Sequence, residues 1–167
     1  MEANCIIGID NGLDGGLVAL RPDGEILDMM VMPTIQQSKR VISIHAVANW
    51  ANDIRKSFGQ TVVALEEPLH AAGSSQSLRS MSISFGKLFG GLSIAGFTVK
   101  EVEVGEWHTR MIGRGPKGTS KVRALAAAKK QWSDQTWIPP RCRTPHDGLV
   151  DAALIGLYYA THRLKNE

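Results

Sequence analysis

Within residues 4–32 the chain holds three apolar runs, joined by turns too short for anything but a reversal of direction. Residues 4–10 (NCIIGID) are almost continuously hydrophobic. Residues 15–21 (GGLVALR) follow across Asn-Gly and a Gly pair, and residues 25–32 follow across Pro22-Asp23-Gly24. Turn residues at that spacing predict an antiparallel meander of three strands. The chain is thereby committed to a sheet, and the residues that follow decide what covers it.

They alternate. In residues 43–58, Ile44, Val47, Trp50, Ile54 and Phe58 recur at steps of three or four, which predicts a helix. Residues 61–65 (TVVAL) form a fourth strand that ends in Glu66-Glu67-Pro68. An apolar segment at 78–96 reads as a helix whose Gly86 and Gly90 suit a close approach to another backbone. A fifth strand at 97–102 leads to a short helix near 106–112, the loop GRGPKGTS, and helices at 120–132 and 145–163. A meander, then alternating helix and strand, then helices, predicts an α/β fold: a five-stranded mixed sheet flanked by helices. With 167 residues, no repeat and no linker, one domain over 1–167 is expected.

Cys5 and Cys142 stand alone and outside any C-x-x-C pattern, so neither a disulfide framework nor a zinc ribbon is expected. No apolar run is long enough to span a bilayer, and a cytoplasmic protein with no membrane partner is the reading. The net charge of +3 conceals an asymmetry. Residues 107–143 carry nine Lys and Arg against Asp134 alone, a local balance of +8 that leaves −5 for the remainder. Such clustering suits a polyanion, although a solvated helix face with basic loops would give the same count.

Acids stand at the ends of the predicted elements: Asp10 after the first strand, Glu66 and Glu67 after the fourth, Asp147 and Asp151 at the start of the last helix. If neighbouring strands end at one edge, these carboxylates converge and repel. Divalent cations would remove the repulsion, and oxygen donors without a His/Cys set favour Mg²⁺ or Mn²⁺. Each acid also has a plainer reading. Asp10-Asn11-Gly12 can open an Asx turn. Thr144 can cap a helix that has Pro145 in its first turn and Asp147 as a capping-box acid. Asp151, deeper beside the apolar run at 152–157, resists such a reading. Strand periodicity puts Glu66 and Glu67 on opposite faces without saying which looks toward Asp10.

The strand-Asp-x-Gly opening IGIDNG, the strand end VALEEP, the basic K-G-T-S-K and the helix start HDGLVDAALIG, in that order, resemble the RuvC family of Holliday junction resolvases, in the ribonuclease H-like superfamily. The resemblance implies that Asp10, Glu66 and Asp151 are catalytic metal ligands and selects Glu66 over Glu67. Many family members place Asp or His three residues before the last aspartate, where this chain has Gly148. Asp147 is taken as the fourth ligand, in preference to His146, because it shares a helix face with Asp151. Lys121 matches a family lysine near the scissile phosphate. Asn11 stands where the family often has proline.

The resemblance further implies hydrolysis of a DNA phosphodiester with two Mg²⁺ or Mn²⁺ ions, and a homodimer that cuts a four-way junction or other branched DNA symmetrically. Arg110, Arg114, Lys117, Lys121 and Arg123 would bind DNA from the basic stretch. Leu69, His70, Ser74, Ser75 and Arg79 would do so from the loop and helix after Glu66, with Leu69-His70 standing where the family often has an aromatic. Rival readings are a ribosomal RNA-processing nuclease of the YqgF type, an actin-like ATP-binding domain that uses IDNGLDGGLVAL as a phosphate hairpin, and a junction-binding module without catalysis.

Overall fold

Every residue of β1 (Cys5–Ile9) and β2 (Gly16–Leu20) is buried, which requires a sheet covered on both faces. In the computed structural model, which describes residues 3–68 and 74–164, that sheet has the order β3-β2-β1-β6-β7. β3 is Ile26–Val31, β6 is Thr61–Glu66 and β7 is Thr98–Val102. The first three strands pair antiparallel, and β6 and β7 add in parallel beside β1. The five predicted strands are therefore present, and the sheet is mixed.

Alternate residues feed two cores. Ile6, Val18, Leu20, Val62 and Ala64 pack with α3 (Val104–Met111), α4 (Ser120–Gln131) and α5 (Asp147–Tyr158). Cys5, Ile7, Ile9, Leu17, Val63 and Leu65 pack on the other face with α1 (Ile44–Phe58) and α2 (Ser75–Ile94). Among the described residues no helix is long and apolar enough to cross a membrane.

Four expectations change. A hairpin of β4 (Thr34–Gln36) and β5 (Arg40–Ile42) precedes α1, formed by short polar strands that carry little periodic signal. The last helix becomes a π-helical turn over Tyr159–Arg163. Its N-cap is His146, whose Nδ1 accepts from the Leu149 N–H at 3.3 Å, and not Thr144. In α2 the glycine in close contact is Gly91, where a Cβ would press on Ile44, while Gly86 and Gly90 face open space.

The packing of α5 on the sheet is unusually close. A Cβ on Gly8 would lie 2.6 Å from the Gly156 nitrogen and nearer still to the Ala152 carbonyl, and one on Gly148 would lie 2.5 Å from the Gly15 Cα. Helix backbone thus rests on strand backbone, and Gly15 and Gly148 form a β-bridge. No side chain fits at position 148, three residues before Asp151.

Candidate active site

β1 and β6 run parallel with Ile9 opposite Leu65, so the residues that follow, Asp10 and Glu66, emerge at the same edge of the sheet. Asn11 extends that register past the end of the strand. It is fully buried, and its Nδ2 donates to the Glu66 carbonyl at 2.8 Å. Its Oδ1 is buried without a hydrogen-bond partner. The Gly12 N–H donates to Asp10 Oδ1 at 3.0 Å, so the Asx turn foreseen in the sequence does form, and it orients the carboxyl.

Glu66 is buried, and Trp107 Nε1 on α3 donates to its Oε1 at 2.9 Å. Asp151 enters from α5, one residue from the Ala152 carbonyl that abuts Gly8. Burial pushes the Asp10 carboxyl above the ordinary aspartate range, while the Gly12 N–H, His146 and Lys121 draw it down. Burial, then the charges of Asp10 and Asp151, raise Glu66 to about 8 against the Trp107 hydrogen bond. Burial, then Asp10 and Asp147, raise Asp151 to about 7 against Lys121. The charges of Asp10 and Asp151 thus act on Glu66, and that of Asp10 on Asp151.

Asp147 lies at the rim, half exposed, and receives Lys121 Nζ at 2.6 Å. That bond, and the Asp147 charge behind it, raise the lysine's affinity for its proton. His146, used as the helix cap, has its electrostatic effect on Asp10, whereas Asp147 acts on Asp151.

The DNA-binding candidates fall in several places. Arg110 is exposed on α3, and Arg114 and Lys117 are exposed in the loop before α4. Arg123 is turned inward to hold that loop: its guanidinium donates to the carbonyls of Ile112 and Gly113 and to Thr119 Oγ1. Ser74 caps α2 by accepting from the Ser77 N–H, and Ser75 and Arg79 follow on its first turns. Leu69 and His70 lie outside the described residues. Trp107 and Asn11, which hold Glu66 from two sides, were not expected from the sequence. The only signal was their position beside elements that end in acids.

The donors suit hard divalent cations, since they are oxygen atoms of carboxyls whose charges oppose one another. Among the described residues no three acid, histidine or cysteine side chains are already gathered into a cation cage. Mutual repulsion alone would keep these carboxyls apart.

No family model matches the sequence, and no curated protein matches it. Solved structures do. The chain is similar to T. thermophilus RuvC in complex with Holliday junction substrate, with a TM-score of 0.68 over 97% of this chain and 96% of that one, at 18% identity. The chain has the RuvC fold. A second Thermus thermophilus RuvC structure superposes with a TM-score of 0.61 over 93% of each chain, at 17% identity.

Proposed function

We propose that the protein is a metal-dependent endonuclease that resolves four-way DNA junctions. The observation that carries this reading is the convergence of Asp10, Glu66 and Asp151. Burial raises the pKa of all three, from two strands and a helix at one edge of a RuvC fold, and the Asp10 charge raises both Glu66 and Asp151 further. Burying three acids together is costly for stability, and such perturbed clusters mark functional sites.

Asp10, Glu66, Asp151 and Asp147 would hold the cations. Two bound Mg²⁺ or Mn²⁺ ions would supply Lewis acidity for hydrolysis and cancel the carboxylate repulsion. Asp10 is held in one rotamer by the Gly12 N–H and Glu66 by the Trp107 indole, so neither must be ordered when a substrate arrives. Lys121 would place its ammonium against the phosphate as negative charge develops there. Exposed Arg110, Arg114 and Lys117 would bind the DNA backbone without reading sequence.

A homodimer would set two such sites on one junction. Ile94, 90% exposed at the C-terminal end of α2, supports a contact at that end of the helix. The protein would work in the cytoplasm of a bacterial or phage-infected cell.

The test is incubation with labelled four-way junction, duplex, single-stranded DNA and RNA, with Mg²⁺ or EDTA, beside Asp10→Asn and Asp151→Asn. Paired symmetric nicks in the junction, dependent on metal and lost in both variants, are expected. Preferential cutting of RNA, or equal cutting by the variants, overturns the reading.

A further inference from the structure

The exposed cations Arg110, Arg114 and Lys117 lie on one side of the acids, on α3 and the loop before α4, and the start of α2, with Ser75 and Arg79, lies on the other. On that side, between the β4–β5 hairpin and α2 from Ser75 to Lys87, lies a groove of about 580 Å³. Lys39 and Arg40 line it from the hairpin, and Arg79 and Lys87 from the helix. None of the residues lining it is acidic. Its apolar surface includes Leu13 and Ile83, the latter 41% exposed.

Three further features define its chemistry. Ser75 and Gln76 bring the first turn of α2 to the groove wall, and that turn has no acid to oppose the positive end of the helix dipole. Arg40 is paired with the highly exposed Asp14, which ties the hairpin to the β1–β2 turn. That turn also carries Leu13, three residues beyond Asp10, and the Asp14 charge is felt by the Asp10 carboxyl. The groove therefore opens beside the acid cluster.

We propose that this groove binds one unpaired DNA strand, a few nucleotides long, next to the position of cleavage. Cations on both walls suit a sugar-phosphate backbone, and the aliphatic floor offers unstacked bases a dry surface; both are properties of single-strand sites. With Lys121 on the far side of the acids, a strand lying in the groove would cross the carboxylates and leave past α4. The inference rests on the nuclease reading only for where that strand leads; strand binding itself does not require cleavage.

The experiment separates the two. In the Asp10→Asn protein with EDTA, where nothing is cut, the affinity for a fluorescent 12-nucleotide oligodeoxythymidylate is measured against salt, with and without Lys39→Ala/Lys87→Ala. The double change should weaken binding about tenfold and reduce the slope of log K against log salt by about 1.4, roughly 0.7 for each lost phosphate contact. Charge reversal, Lys39→Glu/Lys87→Glu, should weaken it further. Circular dichroism checks that these exposed positions leave the fold intact. An unchanged affinity and slope overturns the proposal, as does equal binding and equal loss with a 12-base-pair duplex. If the unsubstituted protein resolves junctions while both double variants bind the strand normally, the groove inference alone fails. If it cuts nothing but binds the strand through Lys39 and Lys87, the nuclease reading fails and the groove stands.

Discussion

The acids at the sheet edge and the ion pair beside them are held in opposite ways. Asp10, Glu66 and Asp151 are fixed by backbone register, by the Gly12 and Trp107 hydrogen bonds, and by glycine contacts under α5. Lys121 and Asp147 have side chains 73% and 49% exposed and hold chiefly to each other. Burial makes the first group costly, and exposure makes the second inexpensive.

The severest way to break this difference is to lift α5 off β1. Gly8→Ala puts a methyl against the Ala152 carbonyl, and backbone cannot yield as a side chain can. A loss of several kcal/mol is expected, about the upper range for single substitutions, read as a fall in the urea midpoint. Removing a buried charge while keeping its shape should leave the fold intact and stop the reaction. Asp10→Asn and Asp151→Asn are expected to cut junctions more than about 100-fold more slowly, beyond the range for a supporting contact, measured in single turnover.

The pH dependence of stability sharpens the same contrast. A carboxyl whose folded pKa lies above its unfolded value stabilises the fold below the unfolded value, near pH 4, and that contribution is lost as pH rises through about 7 for Asp151 and about 8 for Glu66. Protein in EDTA should therefore melt lower at about pH 8.5 than at about pH 5.5 by at least ~2–4 °C, the shift that ~1 kcal/mol makes in a chain of this size. Mn²⁺ should recover the loss at the higher pH, and Asp151→Asn should flatten the profile. A profile unchanged by that substitution would mean that the acid is not strained by its neighbours.

Smaller effects belong to the supports and to the rim. Trp107→Phe removes one hydrogen bond to Glu66 and is expected to lower the cleavage rate about tenfold, as changes behind a ligand do, with Mn²⁺ affinity as the second readout. Asp147→Ala should change stability by less than about 1 kcal/mol, because exposed pairs contribute little. Its cost should appear as weaker metal binding in a calorimetric titration.

Much of the sheet was legible because β1, β2 and β3 are dense apolar runs between turns with a physical mechanism, and because α1 shows its period plainly. The β4–β5 hairpin was not, since TIQQSKRVI is short, polar and held partly by the Arg40–Asp14 pair, a contact between residues distant in sequence. The strand acids were legible as acids at element ends. What holds them was not: Trp107 and Glu66 meet only in the fold, and Asn11 looked like a mere replacement for proline. The basic groove was hidden for the same reason. Lys39 and Arg40 sit on one element and Arg79 and Lys87 on another, so no local count of charge brings them together.

The glycine contacts under α5 have a further consequence, for the chain as it is made. Asp10 and Glu66 leave the ribosome early and can take their places when β1 and β6 pair. Asp151 arrives only when the helix bearing it docks on Gly8 and Gly15. Domains are completed from the N-terminal side during synthesis, so a nascent chain holds two acids of the three until nearly the whole of the described structure has emerged. The order of synthesis thus keeps the carboxylate cluster incomplete until the fold that holds it is in place.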